Sequence, residues 1–202
     1  MGLAVSVDII SQVYGDEEGI DYYRSQFDEL SAELAADGVT WTEPDGPPAE
    51  KGRALLLSFP YSTLHYLRRV YALHMNGVEV TPVPPGEELD MGPEQEESHM
   101  LSSHLICHSD CDGYYVPVDF GDPLYLDAGS VGSSVALLRE LRECAPHIGV
   151  QLTEGGELTD EEAQRVNDVA DDHPYRYELM AWILLFEAAR VSVASGHAVV
   201  FG

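Results

Sequence analysis

The sequence predicts an α+β protein, a single domain in which about five helices pack on a mixed or antiparallel sheet. Three observations indicate this class. Some segments repeat apolar residues at helical spacing, other short apolar runs alternate as strands do, and turn residues separate the two kinds. With 202 residues, 45% of them hydrophobic, the chain is long enough to bury a core without disulfide bonds.

The clearest helix is predicted over residues 16–37. Tyr23, Phe27 and Leu30 recur on one side of that segment, and its first turn is acidic, which favours the positive end of a helix. Gly38 follows as a stop signal. The segment is therefore expected to lay an apolar stripe on the sheet.

The other elements follow from the same patterns of spacing, capping and turn residues. Further helices are predicted at about 62–76, 131–145, 159–173 and 174–196. Strands are predicted at 53–59, 78–83, 123–127 and 197–201. Between them, residues 84–97 read PPGEELDMGPEQEE and are expected to form an acidic mobile loop within one domain that covers 1–202.

The centre of the sheet is predicted to be a hairpin over about 103–120, SHLICHSDCDGYYVPVDF. Asp112-Gly113 lies between two apolar runs, and a tight two-residue turn favours this dipeptide. Strand alternation then places Cys107 and Cys111 on the apolar face, away from the histidines. The cysteines are thus expected in the core rather than as zinc ligands.

The opposite face of this predicted hairpin carries four residues that are candidates for catalysis: His108, Asp110, Tyr115 and Asp119. A histidine beside two carboxylates and a phenol suits acid–base chemistry or metal binding, with His108 as base and Asp119 as its orienting group or a ligand. The alternative is a solvated outer face with ordinary cross-strand pairs. The sequence identifies neither a metal nor a cofactor.

A second candidate site lies where the helix at 131–145 begins. Gly132, Ser133 and Ser134 are candidates to offer free backbone N–H groups to an anion, although the sequence favours the alternative, in which Ser130 or Ser133 simply caps the helix. Residues 51–78 contain basic residues and no acid. They could receive an anionic ligand, but packing against the acidic segment 84–97 is favoured, because opposite charges in one chain tend to pair.

The charge is the strongest global feature, with 36 acidic and 10 basic residues and a net charge of −26. Such a field repels nucleic acids and anionic membranes. Two explanations compete. Lys51 is the sole lysine and acids occur throughout, which favours adaptation to a salty cytosol, whereas massing on one face would indicate an acidic inhibitor that imitates nucleic acid.

Three cysteines and a poor signal-peptide pattern at the N-terminus favour reduced thiols and a cytoplasmic location. No apolar run is long enough to span a bilayer. The predicted partners are therefore a small molecule or a protein, and neither nucleic acid nor a membrane. A second copy of the chain, forming a homodimer, is a further alternative.

The segment SHLICHSDCDGYYVPVDF, the opening MGLAVSV and the closing LFEAARVSVASGHAVVFG resemble a family of uncharacterised microbial proteins, over most of the chain. That resemblance implies no catalytic residues. The sparse lysine and abundant acid resemble the composition of haloarchaeal proteins.

Two functions remain open on the sequence alone. The first is a salt-adapted cytosolic protein that binds a small ligand or metal near His108, with hydrolytic or proton-transfer chemistry if it is an enzyme. The alternative is an acidic protein-interaction module or nuclease inhibitor without a catalytic site. A concave site beside the hairpin would favour the first, and one coherent acidic face would favour the second.

Overall fold

The computed structural model describes residues 2–202 and confirms an α+β domain with one mixed sheet. Its strands are β1 (Gly2–Val7), β2 (Ser58–Pro60), β3 (Gly113–Val116), β4 (Leu124–Leu126), β5 (Gly129–Ser133) and β6 (Val199–Phe201). Its helices are α1 (Ile9–Gln12), α2 (Glu17–Ala36), α3 (Tyr61–Met75), α4 (Gly92–Ser98), α5 (Ser134–Cys144), α6 (Asp160–Asn167) and α7 (Arg176–Ser195), with a 3₁₀ helix at Ala145–Ile148.

The six strands lie in the order β2-β1-β6-β3-β5-β4. Only β3 and β5 run parallel; every other neighbouring pair is antiparallel. β6 therefore lies near the centre, between the first strand of the chain and β3. Most of these pairings join segments far apart in the sequence.

Helices cover both faces of the sheet. On one face, α2 places Phe27, Leu30 and Leu34 against a cluster that includes Tyr114 and Val200 of the strands. On the other face, α3, α5 and α7 enclose the larger core. The helix α2 is thus the outer layer of its face, and its remaining sides point to solvent.

The predicted helix over 16–37 is confirmed. Asp16 caps it, since its side chain accepts a hydrogen bond from the backbone N–H of Gly19 at 3.2 Å. Gly38 follows with a φ of 81°, a left-handed conformation that glycine adopts without strain and that ends helices. The acidic first turn and the following glycine were therefore sufficient to predict both ends of this helix.

The predicted hairpin over 103–120 is wrong. Residues 103–112 form turns rather than a strand, and β3 begins at Gly113. The φ of Gly113 is 106°, and a Cβ there would lie 2.3 Å from the backbone oxygen of Ser130. Glycine is needed because β3 starts close to β5, and no tight turn reverses the chain at Asp112-Gly113.

Other departures from the predicted elements are smaller. The predicted strand at 78–83 does not form, whereas α1 and α4 were not predicted. Residues 84–91 contain no helix or strand, and α4 follows them. Within the described part of the chain, no helix combines the length and apolar character required to cross a bilayer.

Candidate functional site

A buried carboxylate of α5 holds the first residues of the turns at 103–112. Glu140 accepts hydrogen bonds from the Ser103 hydroxyl at 3.0 Å, the His104 N–H at 2.8 Å and the Leu105 N–H at 2.7 Å. Burial raises the pKa of Glu140 to about 7, against the lowering effect of these donors. Glu140 thus accepts hydrogen bonds from backbone N–H groups that, in a hairpin, would have bonded to the neighbouring strand.

His108 lies inside the protein and not on an outer face. Its side chain is buried, and its ring stacks on Tyr115 with a centroid distance of 4.1 Å. Its Nε2 lies 3.1 Å from the Tyr114 carbonyl oxygen. Burial lowers its pKa to about 4, so the imidazole is neutral at pH 7.

Of the other three predicted catalytic residues, Tyr115 stacks on His108, whereas the two aspartates pair with arginines. Tyr115 is buried and donates its hydroxyl proton to the His104 carbonyl at 2.8 Å, and burial raises its pKa well above the usual value. Asp119 is exposed and pairs with Arg139 at 2.9 Å. His108 and Tyr115 are therefore in contact, but no hydrogen bond joins His108 to Asp110 or Asp119 among the residues described.

Asp110 belongs to a different cluster, which sequence reasoning missed as a site. It pairs with the buried Arg68 and with His65, whose Nε2 lies 3.4 Å from an Asp110 oxygen. Hydrogen bonding to His65, followed by the charge of Arg68, lowers the pKa of Asp110 to about 2. Glu94 of α4 completes the cluster, with an oxygen 2.9 Å from His65 Nδ1.

This cluster confirms that the basic segment 51–78 packs against the acidic segment 84–97. Arg68 also donates to the carbonyl oxygens of Leu105 at 2.8 Å and His108 at 2.6 Å. The charges therefore fix α4 and the 103–112 turns to α3, and their contacts are structural. The catalytic roles predicted for the four residues at 108–119 stay predictions.

The predicted anion site is filled by the protein itself. Ser133 donates its N–H to His104 Nδ1 at 2.9 Å, and its hydroxyl accepts from the Ala136 N–H at 3.1 Å. The Ser134 hydroxyl hydrogen-bonds to that of Ser192 at 2.7 Å. Gly132 is buried against the Tyr115 ring. These groups face neighbouring residues, and anion binding by Gly132, Ser133 and Ser134 stays a prediction.

Most carboxylates are displayed on the surface without a counter-charge. Only four of the 36 acids are buried, namely Glu94, Glu140, Glu178 and Glu187. Nine acids form ion pairs with arginine or histidine, which leaves 27 that do not, counted over residues 2–202. The surface as a whole therefore attracts cations.

The longest ordered row of these acids lies on α2. At about 100° per residue, its exposed acids fall within an arc of about 120° that faces away from the buried stripe. They are Glu17, Glu18, Asp21, Asp28 and Glu29. From Asp16 to Asp37, eight acids accompany a single cation, Arg24.

This acidic row continues beyond the helix. Glu33 accepts a hydrogen bond from the Ala128 N–H at 3.2 Å, which places α2 beside the exposed Asp127 in the turn between β4 and β5. The row was missed from sequence, although the spacing of the acids opposite Phe27 and Leu30 was a sufficient signal.

Fold and surface together define an acidic α+β protein whose outer helix presents a row of fixed carboxylates. The chain belongs to the family described as "Putative DNA-mimic protein", whose model matches residues 1–201. Comparisons with curated proteins and with solved structures gave no match. The family supports the predicted alternative, an acidic protein-interaction module, better than a ligand site near His108.

Proposed function

We propose that this protein binds a DNA-binding protein. It would occupy the surface with which that partner binds DNA. The exposed face of α2 supplies carboxylates to the positions at which the partner binds DNA phosphates. The observation that carries the proposal is the row of five exposed acids on α2, which is accompanied by a single arginine, Arg24.

The spacing of this row supports the comparison with DNA. Residues 17 to 29 span about 18 Å along a helix, so the five acids of the row give roughly one charge per 4 Å. A single strand of B-DNA carries one phosphate per about 3.4 Å of helix axis. The axial charge density of α2 is therefore close to that of one DNA strand.

The row is also held in place before binding. Phe27, Leu30 and Leu34 are buried, and Tyr23 packs partly against the same apolar cluster, so the helix backbone is anchored from Tyr23 to Leu34. A preorganised surface loses less conformational freedom on association than a flexible acidic tail does. This anchoring suits competition with duplex DNA, which is itself stiff.

Salt adaptation and DNA mimicry both explain a net charge of −26, and they differ in what they require of α2. Salt adaptation requires only that acids be numerous and lysine scarce. Mimicry requires that the acids of the row on α2 contribute more to partner binding than an equal number of acids elsewhere on the surface. Salt adaptation, like a cytoplasmic location, stays a prediction.

The test compares two variants with the same change in charge. The first is Asp21→Asn, Asp28→Asn, Glu29→Gln on α2; the matched control is Glu154→Gln, Asp168→Asn, Asp172→Asn, three exposed acids outside α2. A partner is captured with the wild-type protein from nuclease-treated lysate of the source cells. Displacement of labelled duplex DNA from that purified partner is then followed by fluorescence anisotropy.

We expect wild type and control to displace DNA equally, and the α2 variant to be weaker by about tenfold or more with a shallower dependence on salt concentration. An equal loss of DNA displacement in both variants would show that overall charge explains the effect, and that the position of the acids on α2 does not. Failure of the wild-type protein to displace DNA from any captured partner would reject mimicry.

A further inference from the structure

A cleft of about 720 Å³ lies between α5, α7 and the segments 50–53 and 156–160. Its walls hold four of the ten cations of the chain but only three of its 36 acids. The four cations are Lys51, Arg53, Arg142 and Arg190. The cleft walls therefore carry a slight excess of cations over acids, in a protein of net charge −26.

Two of the four cations are fixed by a buried carboxylate. Glu187 lies beneath the cleft, where it accepts from Arg53 Nη2 at 2.6 Å and from Arg190 Nη2 at 2.9 Å. Glu50 and Asp160 hold the outer nitrogens of the same arginines. These two guanidinium groups are therefore largely neutralised and form a rigid wall.

The other two cations are free to receive a ligand. Arg142 donates through Nε to the Gly156 carbonyl at 2.9 Å, and neither of its terminal nitrogens has an acceptor in the described structure. Gly156 leaves room for this stem, since a Cβ there would lie 2.8 Å from Arg142 Nε. Lys51 is exposed and forms no ion pair with any residue from 2 to 202.

The floor of the cleft is apolar. Leu138 of α5, Phe186 of α7 and Leu158 line it beneath the charged rim. A volume of this size suits a small organic molecule, and a mixed lining suits one with an apolar body and a charged head. An arginine with two free terminal nitrogens offers a fork that matches a doubly anionic oxyanion, beside a second cation.

We propose that this cleft binds a small organic phosphate monoester, with the phosphate between Arg142 and Lys51 and the apolar body on Leu138 and Phe186. The cleft belongs to the helical layer on the side of the sheet opposite α2. The proposal is therefore independent of DNA mimicry, and either can fail without the other.

Isothermal titration of the full chain with phenyl phosphate tests the site, with benzoate and inorganic phosphate as comparison probes. The variants are Arg142→Ala and the exposed Lys51→Ala, and the matched control is Arg139→Ala, on the same helix but outside the cleft and paired with Asp119. Circular dichroism confirms that each variant folds, and Lys51→Ala decides the matter should Arg142→Ala fail to fold.

We expect saturable binding of one phenyl phosphate, with affinity reduced about tenfold or more in Arg142→Ala, reduced in Lys51→Ala and unchanged in Arg139→Ala. If benzoate binds as tightly as phenyl phosphate, the site has no preference for a phosphate group. If inorganic phosphate binds as tightly, the apolar floor contributes nothing to binding. Either result would contradict the proposal. No saturable binding at millimolar phenyl phosphate, or an equal loss in Arg139→Ala, would overturn the site.

Discussion

The position of His65 between two carboxylates makes the stability of the protein depend on pH in a defined direction. Its Nδ1 lies 2.9 Å from Glu94 and its Nε2 lies 3.4 Å from Asp110. Hydrogen bonding to Asp110, and then to Glu94, raises the pKa of His65 from 6.5 to about 9. Because the pKa is raised in the folded protein, the stabilisation is complete below pH 6.5 and is lost as pH rises through 9.

The size of this effect follows from the same value. A rise from 6.5 to about 9 corresponds to at most about 3.4 kcal/mol of the free energy of unfolding. The His65 side chain is 21% exposed and Asp110 is 43% exposed, so solvent screening reduces the effect. We therefore expect about 1–2 kcal/mol.

The perturbation is His65→Gln, which removes the titrating charge and keeps a side chain able to hydrogen-bond. Urea unfolding at pH 6.0, 7.5 and 9.5 gives the free energy of unfolding of variant and wild type. The variant should be less stable by about 1–2 kcal/mol at pH 6.0, and the difference should shrink to nearly zero at pH 9.5. Groups common to both proteins cancel in this difference.

The control is His99→Gln, an exposed residue without an ion-pair partner in the region the structure covers. Its free energy of unfolding should follow that of the wild type at all three pH values. A difference between His65→Gln and wild type that stays constant from pH 6.0 to 9.5 would refute the reasoning, because it would report lost packing and no lost charge.

Two further substitutions test the packing that replaces the predicted hairpin. Gly132→Ala should destabilise the protein by about 1–3 kcal/mol in urea unfolding, since its Cβ would lie 2.4 Å from ring carbons of the buried Tyr115, whereas Gly155→Ala should change little. Arg68→Lys should cost about 2–4 kcal/mol, because lysine cannot replace its several directed hydrogen bonds, while Arg69→Lys, which loses one bond, should be nearly neutral. Equal effects within either pair would contradict the corresponding contact.

The parts of the fold that the sequence predicted correctly are those set by local signals. The helix α2 follows from the spacing of Phe27, Leu30 and Leu34 and from the glycine after its end. Residues near one another in sequence decide such an element, whatever it packs against. The acidic face of α2 could have been predicted in the same way.

The predicted hairpin was wrong because contacts with residues far away in the sequence determine the conformation of this segment. The N–H groups of His104 and Leu105 bond to Glu140, which follows more than thirty positions later. β3 pairs with β6, so that Tyr114 lies opposite Val200. No turn signal reports such partners, and the glycine at position 113 serves close strand packing instead of a reversal.

The central place of β6 has a consequence for when the acidic helix becomes ordered. Val5 pairs with Phe201, so the two outer groups of strands meet only through the last strand in the sequence. Bringing such distant segments together costs chain entropy before any pairing offsets it, which slows folding. Val200 also belongs to the apolar platform under α2. The apolar platform that positions the carboxylates of α2 is therefore complete only when β6 has joined the sheet.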